Sequence, residues 1–418
     1  MISSGKSGPP AFDMVIVGGG FVGGTLAVAV AKLAPAGFRA ALVDAAPSRP
    51  EGSASDDARA SALTAASKCL LDVLGIWPGL ARKAQPIESI EVTDSPLNAS
   101  LRPHLLGFND VLKAGEPGAH MIENGDLHRA ISNALAREDA IEILAPESIA
   151  GFETDAFSIH AKLASGRRIE ARLLVAADGK RSLTRERAGI KCIGWSYPQA
   201  GIVTTVAHQH PHRGKAVQHF LPAGPFAILP LTGNRSSIVW TEEKAEAEAL
   251  MAGSEVEFVA ALAKRFGHRL GEIRLKGSRQ SFPLDLQIAR AFVANRVALA
   301  GDAAHVVHPL AGQGLNIGLR DVAALTEIVI DASRLGLDIG AVPNLERYQR
   351  WRRFDSAFSA TVMHGLNRLF SNDSAPLRAL RDLGLGLVDR APALKRFLVR
   401  GAAGATGDVP RLLRGEAL

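Results

Sequence analysis

The apolar pattern begins with Met14-Val15-Ile16-Val17, a short, fully apolar run followed by glycines and then by a helix-like apolar stretch from Phe21 to Leu33. A second buried run, Ala40 to Val43, ends in Asp44. Strand, helix and strand within about 30 residues predict a βαβ unit on a parallel sheet. The polar stretch 45–57 then predicts a mobile loop.

Further on, the pattern changes. From Pro86 to Phe108, and again from Cys192 to Ala291, short alternating or β-branched runs such as Ser237-Ile238-Val239-Trp240 are separated by Gly and Pro, predicting an antiparallel second lobe. Between these blocks lie a helix (Gly125 to Arg137) and a strand (Leu173 to Ala177), and after them a strand (Val297 to Ala300); both strands fit the first sheet. The expected organisation is α/β and discontinuous. Residues 13–85, 109–191 and 292–342 form the nucleotide-binding domain, 86–108 and 192–291 a β-rich inserted domain, and 343–418 a C-terminal helical region.

Composition narrows the class. With 418 residues, 47% apolar and 22% charged, the chain is long enough for two lobes. Cys69 and Cys192 are its only cysteines, which excludes a disulfide framework or a four-thiolate zinc site and suits a reducing cytoplasm. The N-terminal residues lack an apolar core behind a basic start, and the run from Thr25 to Ala34 is broken by Lys32, so neither a secretory leader nor a membrane span is expected. The net charge of +6 is C-terminal: from Glu346 onward there are 13 Lys+Arg against 7 Asp+Glu. Without interleaved aromatics or a helix-turn-helix, this does not point to nucleic acid.

The first chemical motif is Gly18-Gly19-Gly20-Phe21-Val22-Gly23, a GxGxxG between a strand and a helix. Gly18 permits the tight turn, Gly20 lets backbone approach a pyrophosphate, and Gly23 lets helix pack on strand. Phe21 and Val22 open the helix whose free amides face the phosphates. Asp44 stands where a ribose hydroxyl needs an acceptor. The alternative is a glycine-rich turn with no ligand.

The second motif, GDAAHVVHPLAGQGLNIGLRD (301–321), favours FAD over NAD. Asp302 follows a strand's C-terminal end, where ligands of parallel sheets gather. The loop from Pro309 to Gly318, with Gly312 and Gly314, opens a helix expected over Leu315 to Ala332. A second platform of this kind suits the ribityl and ring portions of a flavin. His305 and His308 could instead ligate a metal, but no carboxylate has a matching spacing and Pro309 disfavours a helix through them. A structural or flavin-shell role fits better. Likewise HQHPH (208–212) reads as an exposed loop rather than a metal tract, and Trp240 and Phe220 as core rather than pocket residues.

GGGFVG, LLVAADGKRS with Thr184-Arg185, and the 301–321 stretch together resemble the aromatic-ring flavoprotein monooxygenases built like para-hydroxybenzoate hydroxylase. DARASALTAASKCLLDVLGIW, MIENGDLHRAI and HFLPAGPFAILPLTGNRSSIVWT are similar to their ubiquinone-biosynthesis subfamily. The resemblance spans about residues 13 to 400. It implies a Rossmann-like FAD-binding domain with an inserted antiparallel β-rich substrate domain. It also places Gly18, Gly20 and Gly23 on the ADP half of FAD, Asp44 on the adenosine ribose, and Arg59 and Asn124 on the cofactor, although many relatives carry Arg at the latter. Asp178-Gly179 would lie near the pyrophosphate and influence NAD(P)H use. Asp302 would bind the ribityl or pyrophosphate region, and Pro309 would sit against the flavin. The backbone of Gly312, Gln313, Gly314, Leu315 and Asn316 would hold the pyrimidine edge.

The implied reaction is hydroxylation of a polyprenylated phenol with NAD(P)H as transient reductant and O2 as oxygen source. No side-chain nucleophile or metal is required. Two other readings stay open: a flavin dehydrogenase or reductase acting on an isoprenoid, and a non-catalytic flavin-bearing scaffold of a biosynthetic complex. At the C-terminus, Leu377, Leu380, Leu387, Leu394, Phe397 and Leu398 recur near helical spacing among Arg378, Arg381, Arg390, Lys395, Arg396 and Arg400. A helix pair lying on the inner face of an anionic membrane and a hairpin packed on the protein both fit.

Overall fold

The computed structural model describes residues 11–47, 57, 59–94, 104–109, 117–307, 313–370 and 408–418. The first sheet grows from β1 (Phe12–Val17), with β2 (Ala40–Val43) on one side and β11 (Arg168–Ala176) on the other, both parallel to it. β8 (Ile141–Leu144) extends it beyond β2; β19 (Val297–Leu299) and then β18 (Val293–Ala294) extend it beyond β11. β10 (Ile159–Leu163) folds back antiparallel on β11, and β9 (Ile149–Thr154) pairs antiparallel with β10. α1 (Phe21–Leu33) joins β1 to β2. Leu26 through Val30 of α1 are fully buried, as expected of a helix apolar on every face.

The second sheet runs in the order β20 (His305–Val306), β17 (Gln280–Ala289), β12 (Cys192–His208), β15 (Arg235–Glu243), β14 (Gly224–Leu231), β13 (Lys215–Leu221), β5 (Ser89–Asp94), β6 (His104–Asn109), with β16 (Ile273–Leu275) on β12. Its outer face, with Ile202, Phe226, Ile238 and Trp240, is covered by α5 (Lys244–Ala252) and α6 (Glu255–Phe266) through Ala247, Phe258, Leu262 and Phe266. A capping box, Ser254 with Glu257, starts α6. The inner face meets a small sheet of β3 (Ala60–Thr64), β7 (Ala119–Glu123) and β4 (Gln85–Ile87), where Ala216 and Leu231 pack against Met121 and Ile87.

The remaining helices are α2 (Ala65–Val73), α3 (Asn124–Leu135), α4 (Leu183–Arg187), α7 (Gln313–Arg334) and α8 (Val342–Phe370). Residues 408–418 return to this side: Arg411 bonds Glu327 and Asp331 of α7, and Leu412 is fully buried.

Several expectations change. The second lobe is not purely antiparallel, because β5 pairs β13 in parallel. β5 arrives from more than 100 residues upstream, so no hairpin dictates its direction. The lobe also holds α5 and α6, which the Gly- and Pro-punctuated pattern did not suggest. In HQHPH, His210 is exposed, but His208 and His212 are buried with both ring nitrogens of each bonded. His208 ends β12 and its ring is held by Ser236 and the His210 carbonyl. α7 begins at Gln313, two residues earlier than the pattern indicated, so Gly314 is helical. The cationic and leucine-rich residues from Leu377 to Arg400 lie outside the described residues, as do His308, Pro309 and Gly312.

Candidate active site

Four glycine contacts build the floor. A Cβ on Gly23 would come 1.9 Å from the Gly18 carbonyl oxygen, and one on Gly18, at φ +101°, would come 2.4 Å from that of Ala177. α1 is thereby set hard against its own turn, and that turn against the end of β11, which leads into Asp178-Gly179. Gly301, at φ +62°, and Gly318 of α7 both lie against Val22: added Cβ atoms would meet its Cγ2 at 2.9 and 2.7 Å. Sequence positions 22, 301 and 318 thus converge on one point.

Gly20 and Gly314 differ from these. A Cβ on either would meet nothing within 4 Å. Both stand at helix N-termini, Gly20 as the cap of α1 and Gly314 in the first turn of α7. Neither first turn carries an acidic residue, whereas α3 and α6 place Asp126, Glu255 and Glu257 there. The opening amides of a helix have no intrahelical partners and form its positive pole. Among the described residues, neither of these two poles has an acidic side chain in its own first turn.

Acceptors and a cation stand near these turns. The Asp44 carboxylate lies beside Gly19, 2.3 Å from where a Cβ would be, and accepts the amide of Ala46. Asp302 is exposed, yet so much protein surrounds its carboxyl that burial pushes its pKa up, against the opposing pull of His305, Arg59 and Lys180. An accessible carboxyl so enclosed lies in a concave floor. Arg59 reaches over it: Nε and Nη2 both lie 2.8 Å from the Asp57 carboxylate, and the guanidinium sits 5.0 Å above the Phe282 ring. Asp178 accepts the Thr184 amide through one oxygen; the other is buried with no partner among the described residues.

Two assigned residues act through their neighbours. Asn124 accepts from Ser61 at 2.7 Å and donates to Asp57 at 3.3 Å, so its side chain braces the Asp57–Arg59 pair. Asn316 is fully buried; its Oδ1 accepts from the Thr64 amide and Ser67 hydroxyl, and its Nδ2 donates to the Ala62 carbonyl. It ties α7 to β3 and α2.

Sequence reading missed Asp321. This fully buried carboxylate accepts from Gly301 N (2.9 Å), His305 Nε2 (2.6 Å) and Arg352 Nε (2.8 Å); Arg352 also pairs with Asp355, which pairs with Arg320. His305 is therefore a structural partner, and no cluster of metal-ligating side chains occurs among the described residues. Arg185 was quoted but given no task; it is buried and bonds the carbonyls of Lys180 and Ala303, linking two motif loops. Lys180 pairs with Asp285 of the second sheet.

The donor set fits FAD. Two helix N-termini with no acidic side chain in the first turn suit the pyrophosphate and an electron-rich ring edge, Asp44 and Asp302 suit hydroxyls, and Gly20 leaves room for a close backbone approach. This defines the fold and site of a flavin-dependent oxidoreductase.

Comparison with known proteins agrees. A family model described as an FAD binding domain matches residues 11–334. The chain is 45% identical to ubiquinone hydroxylase UbiL of Rhodospirillum rubrum, over 97% of this chain and 93% of that protein. It is 34% identical to 3-demethoxyubiquinol 3-hydroxylase of Escherichia coli, over 94% and 98%. Among solved structures, p-nitrophenol 4-monooxygenase PnpA from Pseudomonas putida matches with a TM-score of 0.77 at 20% identity, covering 96% of this chain and all of that one, a likeness of fold. The chain belongs to the FAD-dependent monooxygenase family that includes the ubiquinone-biosynthesis hydroxylases. Among the described residues no helix is long and apolar enough to cross a membrane.

Proposed function

We propose that this enzyme hydroxylates the ring of a polyprenylated phenol in ubiquinone biosynthesis, with NAD(P)H as reductant. The observation that carries this reading is the meeting of Gly301, beside Asp302, and Gly318 of α7 at Val22 of the α1 turn, in a chain 45% identical to a ubiquinone hydroxylase. When bound, FAD would supply the redox chemistry that activates O2.

The chain's part is binding and placement. Gly18, Gly20 and Gly23, with the amides of Phe21 and Val22, take the pyrophosphate, and Asp44 takes the adenosine ribose. Asp302 accepts from the ribityl chain, and Arg59, braced by Asp57 and Asn124, faces it with positive charge. The N-terminus of α7 at Gln313, Gly314 and Leu315 would stabilise negative charge on the flavin's pyrimidine edge. Asp178-Gly179 lines the approach of the reductant. The inserted residues 86–108 and 192–291 supply the substrate's cover, and the discontinuous residues 13–85, 109–191 and 292–342 the cofactor's bed.

A lipid-tailed phenol requires a site of reaction within reach of a membrane. We assign the enzyme to the cytoplasmic face, held there peripherally by its basic C-terminal region, in contact with other enzymes of the pathway. Oxygen-electrode traces test the chemistry: phenol-stimulated NAD(P)H oxidation should require O2, and turnover unchanged without it would identify a dehydrogenase instead. Quinone profiling of a deletion strain tests the pathway, where accumulation of a prenylated phenol lacking one oxygen is expected and an unchanged quinone pool would refute it.

A further inference from the structure

The registers of the second sheet align Gln218 of β13, Ala227 of β14, Val239 of β15, Val203 of β12 and Gln280 of β17 in a single row across five strands. The row lies on the inner face, since the residues alternating with it, among them Ile202, Phe226 and Trp240, are buried under α5 and α6. Its neighbours Leu229 and Ala216 on the same face pack toward Ala60, Ala62 and Met121 of the small sheet, whose strand β3 begins directly after Arg59.

This row is only partly covered: Ala227 and Val203 are buried, whereas Gln218, Val239 and Gln280 keep some exposure. Val239 is half-buried although β15 has a strand on either side, so its exposure comes from the face itself and not from a sheet edge. Gln218 and Gln280 are half-buried too. Between these two amides the row is apolar and uncharged. At the Gln218 end, Nε2 is buried and has no acceptor among the described residues. At the other end β17 is open along Gln280–Phe282. A groove of about 430 Å³ wraps that edge, lined by Glu248 and Met251 of α5 with Arg279, Gln280, Ser281 and Phe282. Gln280 belongs to both the row and the groove, and Phe282 of the groove is the ring beneath Arg59.

We propose that this row seats the substrate lengthwise, an inference that rests on the polyprenyl-phenol reading above. An oxygen on the ring accepts from Gln218 Nε2. The isoprenoid tail runs over Ala227, Val239 and Val203, and leaves past Gln280 and Phe282 through the groove at Met251. Four strand spacings give the row a length of roughly 19 Å, enough for a ring and the first part of a tail. The head-binding group is a neutral amide, so the ring it selects carries hydroxyl or methoxyl oxygen at that position rather than carboxylate. An ionised carboxylate there would find no charge to pair with.

The test uses the FAD-loaded enzyme with 2-geranylgeranylphenol and, as a tailless probe, 2-methylphenol, reading KM and kcat for phenol-stimulated NAD(P)H oxidation and dissociation constants from flavin absorbance changes. Met251→Lys should raise KM for the geranylgeranyl phenol about tenfold or more and leave 2-methylphenol unchanged, and Met251→Leu should restore the wild-type ratio. Gln218→Leu should weaken both probes by a similar factor, with flavin content unaltered. If Met251→Lys moves both probes equally or neither, the tail does not leave by this groove. If Gln218→Leu binds both as the wild type does, the head is not held there. If the wild-type enzyme responds to neither phenol, the functional reading itself falls and this inference with it.

Discussion

His305 Nε2 and Asp321 Oδ2 are 2.6 Å apart, and the same oxygen accepts the Gly301 amide at 2.9 Å. One carboxylate on α7 therefore holds both ends of the turn that presents Asp302. Its other oxygen is held by Arg352 of α8, which makes the C-terminal helix a support of the cofactor platform.

Burial works against ionisation of Asp321, but His305 and Arg352 outweigh it and hold its pKa below the usual carboxylate range. Removing one partner of a buried pair leaves an unpaired charge, which typically costs about 3–5 kcal/mol. Arg352→Met should therefore lower the melting temperature and the flavin-to-protein ratio together. A depressed folded-state pKa stabilises above the unfolded value, and that contribution is lost as pH falls through the folded one. Asp321→Asn should consequently flatten the acid limb of the wild-type stability curve below about pH 4. Melting curves across pH, with flavin absorbance of the purified variants, check both; wild-type behaviour in each would remove this network from the platform.

The glycines of the first turn should separate into two kinds. Gly23→Ala drives a methyl group into the Gly18 carbonyl. It should destabilise the protein with or without flavin, by about 1–3 kcal/mol if the backbone shifts to relieve it. Gly20→Ala meets no protein atom, so the flavin-free protein should melt as the wild type does while FAD affinity falls. Equal FAD affinity in the Gly20 variant would place the pyrophosphate elsewhere.

Asp302 carries the opposite sign from Asp321. Its pKa is raised by burial, so the folded state holds the proton longer than the unfolded chain and stability falls as pH rises through that window. Asp302→Asn should make the flavin-free protein slightly more heat-stable at neutral pH and yet weaken FAD binding. A variant losing both stability and flavin would mean that Asp302 is a fold residue.

His208 is held neutral chiefly by burial, with the neighbouring His212 adding to it. The unfolded chain takes up its proton more readily, so stability should be full above about pH 6.5 and should decline as pH falls below it. His208→Gln should reduce that slope in melts between about pH 5 and 7, and an identical slope would assign it to another group.

Local chemistry made much of this enzyme legible from its amino-acid sequence. The apolar period placed β1, α1 and β2, and the glycine spacing announced a dinucleotide turn, because both depend on neighbours a few residues apart. The second motif named Asp302 and the α7 N-terminus for the same reason. What the chain order could not give was partnership at a distance. Nothing in GLRD says that Asp321 would meet Arg352, and HQHPH looked like a surface loop until β12 carried His208 inside. The parallel pairing of β5 with β13 and the row from Gln218 to Gln280 depend on strand register, which is set by how separate apolar faces pack together. Sequence determined the first strand–helix–strand unit and the cofactor chemistry; tertiary packing decided which charges are buried together and which residues of the second sheet stand in one row.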